Sequence, residues 1–216
     1  MSDCKITIPP NASQIHSQNP LIAEYQNWLP EREVKKILKL RKELGWYQGK
    51  TADRIKRSSE FDPKIRIADN YKVEPGDQTW LATMADKVSA FLHVPVSHIE
   101  PTLLVRYQTG GHFIEHSDWW DEINSHGIKT HRQATFMVYL NSDFEGGQTH
   151  FRYAGITIEP EPGKALLFTY GADYKTKHHP NSYHSGLPVT SGTKYILIFF
   201  IRDNEFTDEL REKVKY

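Results

Sequence analysis

Polar and irregular residues fill positions 1 to 29, and the hydrophobic pattern turns helical at Pro30. Val34, Ile37, Leu38 and Leu44 then share one face, Glu31 and Glu33 suit the positive end of a helix, and Pro30 suits its first position. Gly45 is expected to end it. A second helix is expected from Asp77 as cap, with Leu81, Met84, Val88, Phe91 and Leu92 on one stripe. After residue 99 the period changes. Short apolar or alternating runs at 103–107, 134–140, 149–153, 165–170 and 194–202 are separated by Gly, Pro, Asn and Asp, and they read as strands. With no helical stretches between them, they imply an antiparallel sandwich or barrel, mainly β, carried on two N-terminal helices. The expected layout is an N-terminal arm at 1–29 and a single domain at 30–216. Within that domain, helical support covers 30–98 and the β core 99–206.

A length of 216 residues suits one such domain. Twenty-seven basic residues balance 27 acidic ones, so no basic field exists to attract a nucleic-acid backbone. Cys4 has no second cysteine to pair with, and the first residues lack a basic segment followed by an apolar run. No apolar stretch approaches the roughly 20 residues of a membrane span. A soluble, cytoplasmic protein with neither a membrane nor a nucleic-acid partner is the expectation. Nothing sets an oligomeric state.

Eight of the 11 histidines lie between positions 112 and 184. In an extended segment, residues i and i+2 point to the same face, so His116 and Asp118 could reach one metal. A third ligand must come from a distant strand, and His184 is the best candidate. Two imidazoles and one carboxylate on one face of an octahedron leave three positions open, as a non-haem Fe(II) oxygenase requires for a chelating cosubstrate and dioxygen. A His-x-Asp tripeptide alone is a weak signal, often a surface loop. Lys194, at the start of the most hydrophobic strand, adds to it. A buried ammonium there would need an anion, and the far carboxylate of 2-oxoglutarate would serve. A strand-edge lysine facing water is the alternative.

Several blocks strengthen this reading: RYQTGGHFIEHSD from Arg106, RQATFMVYLN from Arg132, EGGQTHF from Glu145, PGKALLF from Pro162 and HSGLPVTSGTK from His184. In their order and spacing they resemble the catalytic domain of the prolyl 4-hydroxylase family of Fe(II)/2-oxoglutarate dioxygenases. That resemblance implies a double-stranded β-helix, or jelly roll, with iron at its open end. It also implies Fe(II), 2-oxoglutarate and O2 as reactants, with ascorbate as a candidate stimulant. His116, Asp118 and His184 match the iron ligands, and Lys194 matches the lysine for the far carboxylate. Tyr107 and Thr149 match hydroxyl residues of the cosubstrate pocket. Arg132 matches an arginine tied to substrate handling, and a structural salt bridge is its alternative.

The carboxylate at Asp118 favours hydroxylation over halogenation, although desaturation and ring closure use the same ligands. The expected substrate is an amino-acid unit, either peptidyl proline or a free amino acid. Two rival readings are a non-catalytic jelly-roll binding module and a nucleic-acid demethylase. Zero net charge and a lysine at the cosubstrate position speak against the demethylase. Trp119 and Trp120 are candidate walls of the substrate pocket, with Asp121 and Glu122 available to meet an amine. HHPNSYHSG, which runs through His184, is equally rich, and its His178 and His179 read as loop residues.

Overall fold

A computed structural model of the chain describes residues 6, 8–53, 58–73, 80–123, 127, 129–173 and 175–206. Two antiparallel sheets face each other. Along the larger sheet run Gln14–Gln18, Leu21–Tyr25, Ala165–Thr169, Lys129–Tyr139, Val189–Arg202, Leu103–Gln108, Asp69–Lys72 and Tyr47–Gln48. The smaller sheet runs Ile156–Ile158, Thr149–Phe151, His184–Gly186, His112–His116 and Arg66–Ile67. This double-sheet jelly roll matches the expected fold class.

Both faces of the larger sheet are covered, which explains why its strands read as continuous apolar runs. Successive side chains alternate between faces. Ala134, Phe136, Val138, Leu167, Leu197 and Phe199 turn toward the helices and meet Val34, Ile37, Met84 and Val88. Met137, Tyr139, Leu166, Phe168, Ile196 and Phe200 instead turn toward the smaller sheet, where Phe151 and Ile158 lie. The functional side chains share this second layer.

The N-terminal arm is corrected. Gln14–Gln18 and Leu21–Tyr25 form a hairpin, and Leu21–Tyr25 pairs with Ala165–Thr169 as part of the large sheet. Glu24 hid this in the sequence, because it places a charge in an otherwise apolar strand. It is buried beside Lys164 Nζ at 2.8 Å and His16 Nε2 at 2.5 Å, and these partners make its burial tolerable.

The first helix spans Glu31–Leu40, with Pro30 as its extended cap residue and not its first helical position. It stops before Gly45. The Trp46 indole donates to the Arg41 carbonyl at 2.8 Å and satisfies one of the acceptors a helix end leaves open. A 3₁₀ turn, Trp80–Thr83, leads into the second helix, Met84–Leu92, which His93 closes in the left-handed region. Its expected cap, Asp77, lies outside the described residues. No helix among those described is long and apolar enough to cross a membrane.

Candidate metal centre

The fold brings His116 and His184 together through strand register. They are direct partners across the antiparallel pair of His112–His116 and His184–Gly186, so both rings project to one face, with centroids 4.3 Å apart. Asp118 follows just beyond the end of its strand. Its two oxygens lie 3.3 Å from His116 Nε2 and 3.6 Å from His184 Nε2. The three ligand atoms fall within 4.8 Å of one another, the one such group of three or more potential ligands among the described residues.

The donor set suits a divalent transition metal. His116 Nδ1 lies 2.8 Å from the Ile114 carbonyl and His184 Nδ1 lies 3.2 Å from that of Ser182. A carbonyl only accepts, so each Nδ1 carries the proton and each Nε2 lone pair is free toward Asp118. Burial first, then the neighbouring His116, lowers the His184 pKa to about 4, so its imidazole is neutral at physiological pH. Burial works against a charged Asp118, but His184, His116 and Arg132 outweigh it and hold the carboxyl well below the usual range. The neutral His184 imidazole and the Asp118 carboxylate therefore stand ready as ligands without losing protons.

Three residues that sequence reasoning missed shape this centre. The Thr135 hydroxyl donates to Asp118 Oδ2 at 2.8 Å and accepts from the Tyr170 hydroxyl at 2.6 Å, which orients the carboxylate. Phe113 stacks on His116 with centroids 3.5 Å apart. Thr135 left a faint trace in the sequence: it is the polar residue on the face that also presents Met137 and Tyr139.

Lys194 is buried and hydrogen-bonds the Gly147 carbonyl at 2.6 Å. Gly146 and Gly147 both have positive φ, and a Cβ on Gly147 would stand 3.2 Å from Lys194 Cδ, so glycine is needed for this close approach. No carboxylate pairs with the ammonium among the described residues, and burial lowers its pKa to about 7. The Tyr107 and Tyr139 rings lie 5.5 and 5.4 Å from Nζ. Tyr139, also missed in the sequence, donates to the Thr149 hydroxyl at 2.7 Å. Tyr107, Thr149 and Lys194 are all buried, and the two tyrosines tie them into one neighbourhood.

Arg132 makes the structural salt bridge that was its alternative reading, beside the metal group. It makes a two-pronged pair with Glu100 at 2.7 Å per bond, lies 3.6 Å over the Phe200 ring, and donates to the Asp118 backbone carbonyl at 3.2 Å. Arg202 adds a third bond to Glu100 at 2.6 Å. Glu100→Ala would leave two buried guanidinium groups short of their carboxylate. It should lower unfolding free energy by about 3 to 5 kcal/mol in urea titration. A loss below about 1 kcal/mol would show the cluster to behave like a solvent-screened pair.

Trp119 is half-buried against the inter-sheet core and Trp120 donates to Glu122 at 2.6 Å. Asp121 pairs with Lys129 at 2.7 Å, so neither carboxylate stands apart to meet an amine. His178 and His179 lie in the loop, as expected, and neither belongs to the ligand group.

Comparison with known proteins agrees with this geometry. Residues 102–202 match the family model described as the 2OG-Fe(II) oxygenase superfamily. Prolyl 4-hydroxylase 2 of Arabidopsis thaliana is 25% identical over 226 residues, covering 95% of this chain and 74% of that protein. Prolyl 4-hydroxylase subunit alpha-3 of Homo sapiens is 26% identical over 215 residues, but this chain spans only 38% of its length. The viral collagen prolyl hydroxylase of Paramecium bursaria Chlorella virus-1, solved as a 2-oxoglutarate complex, aligns with a TM-score of 0.64 and 25% identity. That match covers 85% of this chain and 96% of the viral one. A paired-histidine and carboxylate centre on a jelly roll, with the family match over residues 102–202 and these relatives, identifies the chain as an Fe(II)- and 2-oxoglutarate-dependent dioxygenase resembling the prolyl 4-hydroxylases.

Proposed function

We propose that this chain hydroxylates a prolyl residue of a peptide substrate, releasing succinate and CO2 from 2-oxoglutarate. In this reading His116, Asp118 and His184 hold the iron and Lys194 holds the far carboxylate of the cosubstrate. The observation that carries it is the pairing of His116 with His184 across two strands, with Asp118 between their bare Nε2 atoms. The proline assignment rests on relatives named for prolyl hydroxylation.

Bound at this centre, Fe(II) would supply oxygen activation coupled to decarboxylation of the 2-oxo acid. The protein's own part is positional. Thr135, itself held by Tyr170, fixes the rotation of the Asp118 carboxylate, and Arg132 fixes its backbone. Ile114 and Ser182 hold the two imidazole tautomers. Lys194 offers a buried cation beside the Tyr139–Thr149 hydroxyl pair, a setting that favours a dicarboxylate over a plain 2-oxo acid.

Lys194 also makes cosubstrate binding pH-dependent. Burial pulls its pKa to about 7 before the carboxylate arrives, and pairing would raise it. Below that pH the ammonium already exists. Above it, binding must take up a proton, so affinity for 2-oxoglutarate should fall roughly tenfold per pH unit. Titration at several pH values checks this, and constant affinity to about pH 9 would show that another cation holds the carboxylate.

The reaction itself is tested by mass spectrometry of products formed under ¹⁸O₂ from proline-containing peptides and free amino acids. One labelled oxygen on a prolyl residue, matched by succinate, is the expected result. Coupled turnover only with a nucleobase, lipid or sugar would overturn the substrate assignment.

A further inference from the structure

Behind Asp118 a short chain of buried hydroxyls runs into the core. The Thr135 hydroxyl has one proton and gives it to Asp118 Oδ2 at 2.8 Å, so its 2.6 Å contact with the Tyr170 hydroxyl is a bond that it accepts. Strand register makes this contact possible. Phe168 is the direct partner of Thr135 across the pair of Lys129–Tyr139 and Ala165–Thr169. Tyr170, two residues on, is the diagonal neighbour that a long side chain can reach. Its ring lies 6.3 Å from Phe168, which itself lies 4.7 Å from the His184 ring, and its backbone carbonyl accepts from the His179 amide at 2.7 Å. Thr135 is 1% exposed and Tyr170 0%, so bulk water competes for neither hydroxyl. Burial first, then the nearby Asp118 charge, pushes the Tyr170 pKa well above its ordinary value, and the phenol keeps its proton.

We propose that Tyr170 is a positioning residue that acts through Thr135 to favour the Fe(II) state of the bound metal. The proposal rests on the reading of His116, Asp118 and His184 as iron ligands and adds to it a control of redox poise. A carboxylate that accepts a hydrogen bond gives less electron density to a metal, and Fe(III) depends on that donation more than Fe(II) does. Each bond in a buried chain polarises the next, so the phenol strengthens the bond that Thr135 makes to Asp118. An enzyme that uses dioxygen must keep its iron reduced between turnovers, and the bias serves that interval. A core tyrosine that merely satisfies its own hydroxyl would leave the iron potential alone.

The experiment measures the Fe(III)/Fe(II) midpoint potential of the iron-loaded protein, followed by the electron paramagnetic resonance signal of Fe(III). Tyr170→Phe keeps the ring and removes the hydroxyl. It should lower the ratio of Fe(II) to Fe(III) affinity roughly threefold to tenfold, the scale of one net hydrogen bond, which is a fall of about 30 to 60 mV. Thr135→Val should lower the potential further, and Thr135→Ser, which keeps the hydroxyl, should hold it near the wild-type value. Adding Tyr170→Phe to Thr135→Val should change nothing more, because the relay is already cut. A potential unchanged or raised in Tyr170→Phe would overturn the relay while leaving the ligand assignment intact. So would a Tyr170→Phe effect of equal size with and without Thr135. Failure of the wild-type protein to bind iron would remove the ligand reading and the relay with it.

Discussion

His184→Ala and His116→Ala should each abolish peptide-coupled succinate formation and remove most of the bound iron, while circular dichroism shows the fold retained. Both imidazoles direct a bare Nε2 at the same carboxylate, and each is fixed by a carbonyl behind it. Neither makes another hydrogen bond on which a strand depends, so alanine removes a ligand atom and leaves the ladder intact. Losing even an outer partner of a metal ligand costs about 10- to 100-fold in affinity or activity. Losing a ligand itself should exceed that range. Thr135→Val supplies the comparison, because it removes the hydroxyl that donates to Asp118 Oδ2 but no candidate metal ligand, and its effect should fall within the range. Near-normal turnover by either histidine variant, with iron content confirmed, would strike that residue from the ligand set.

Lys194→Ala should raise the KM for 2-oxoglutarate at least tenfold. A charge-assisted hydrogen bond to a carboxylate is worth about 1.5 to 3 kcal/mol, and about 1.4 kcal/mol already corresponds to tenfold. Lys194 has only the Gly147 carbonyl as a hydrogen-bond partner among the described residues, and the cost of burying it is met by no carboxylate. Lys194→Met should therefore unfold at a temperature equal to or above that of the wild type in the absence of ligand, because it removes an uncompensated buried cation. The same variant should lose the stabilisation that 2-oxoglutarate confers on the wild type. Equal KM values for wild type and Lys194→Ala would contradict the assignment, and a large fall in ligand-free stability would show the lysine to be structural.

The β core was legible because its strands alternate two buried faces through long apolar runs, as in 134–140 and 194–202. Shorter strands were not. Thr149–Phe151 and Lys129–Tyr139 lay within or overlapped readable runs, but Ile156–Ile158 and Phe144–Gly146 have three residues each, too few for a period to declare itself. Leu21–Tyr25 was read as arm because Glu24 breaks its apolar pattern, and only the tertiary neighbours Lys164 and His16 make that charge tolerable. The metal group was legible because i, i+2 spacing survives at His116 and Asp118 even though the strand ends at His116. The salt bridge of Arg132 was not legible for a related reason. Its partner Glu100 stands 32 positions away between apolar residues, and nothing local connects them. Tyr139, at the end of a strand, and Tyr170, just past one, read as ordinary core aromatics, and their hydroxyl partners appear only in the folded chain.

Anaerobic titration of the metal-free protein, first with Fe(II) and then with 2-oxoglutarate, tests the central assignment most directly. One Fe(II) should bind per chain, 2-oxoglutarate should bind tightly only after the metal, and its arrival should produce a visible charge-transfer absorption. His184→Ala should lose the metal and the absorption together. Tight 2-oxoglutarate binding without metal, or an unchanged absorption in His184→Ala, would contradict a centre built from His116, Asp118 and His184.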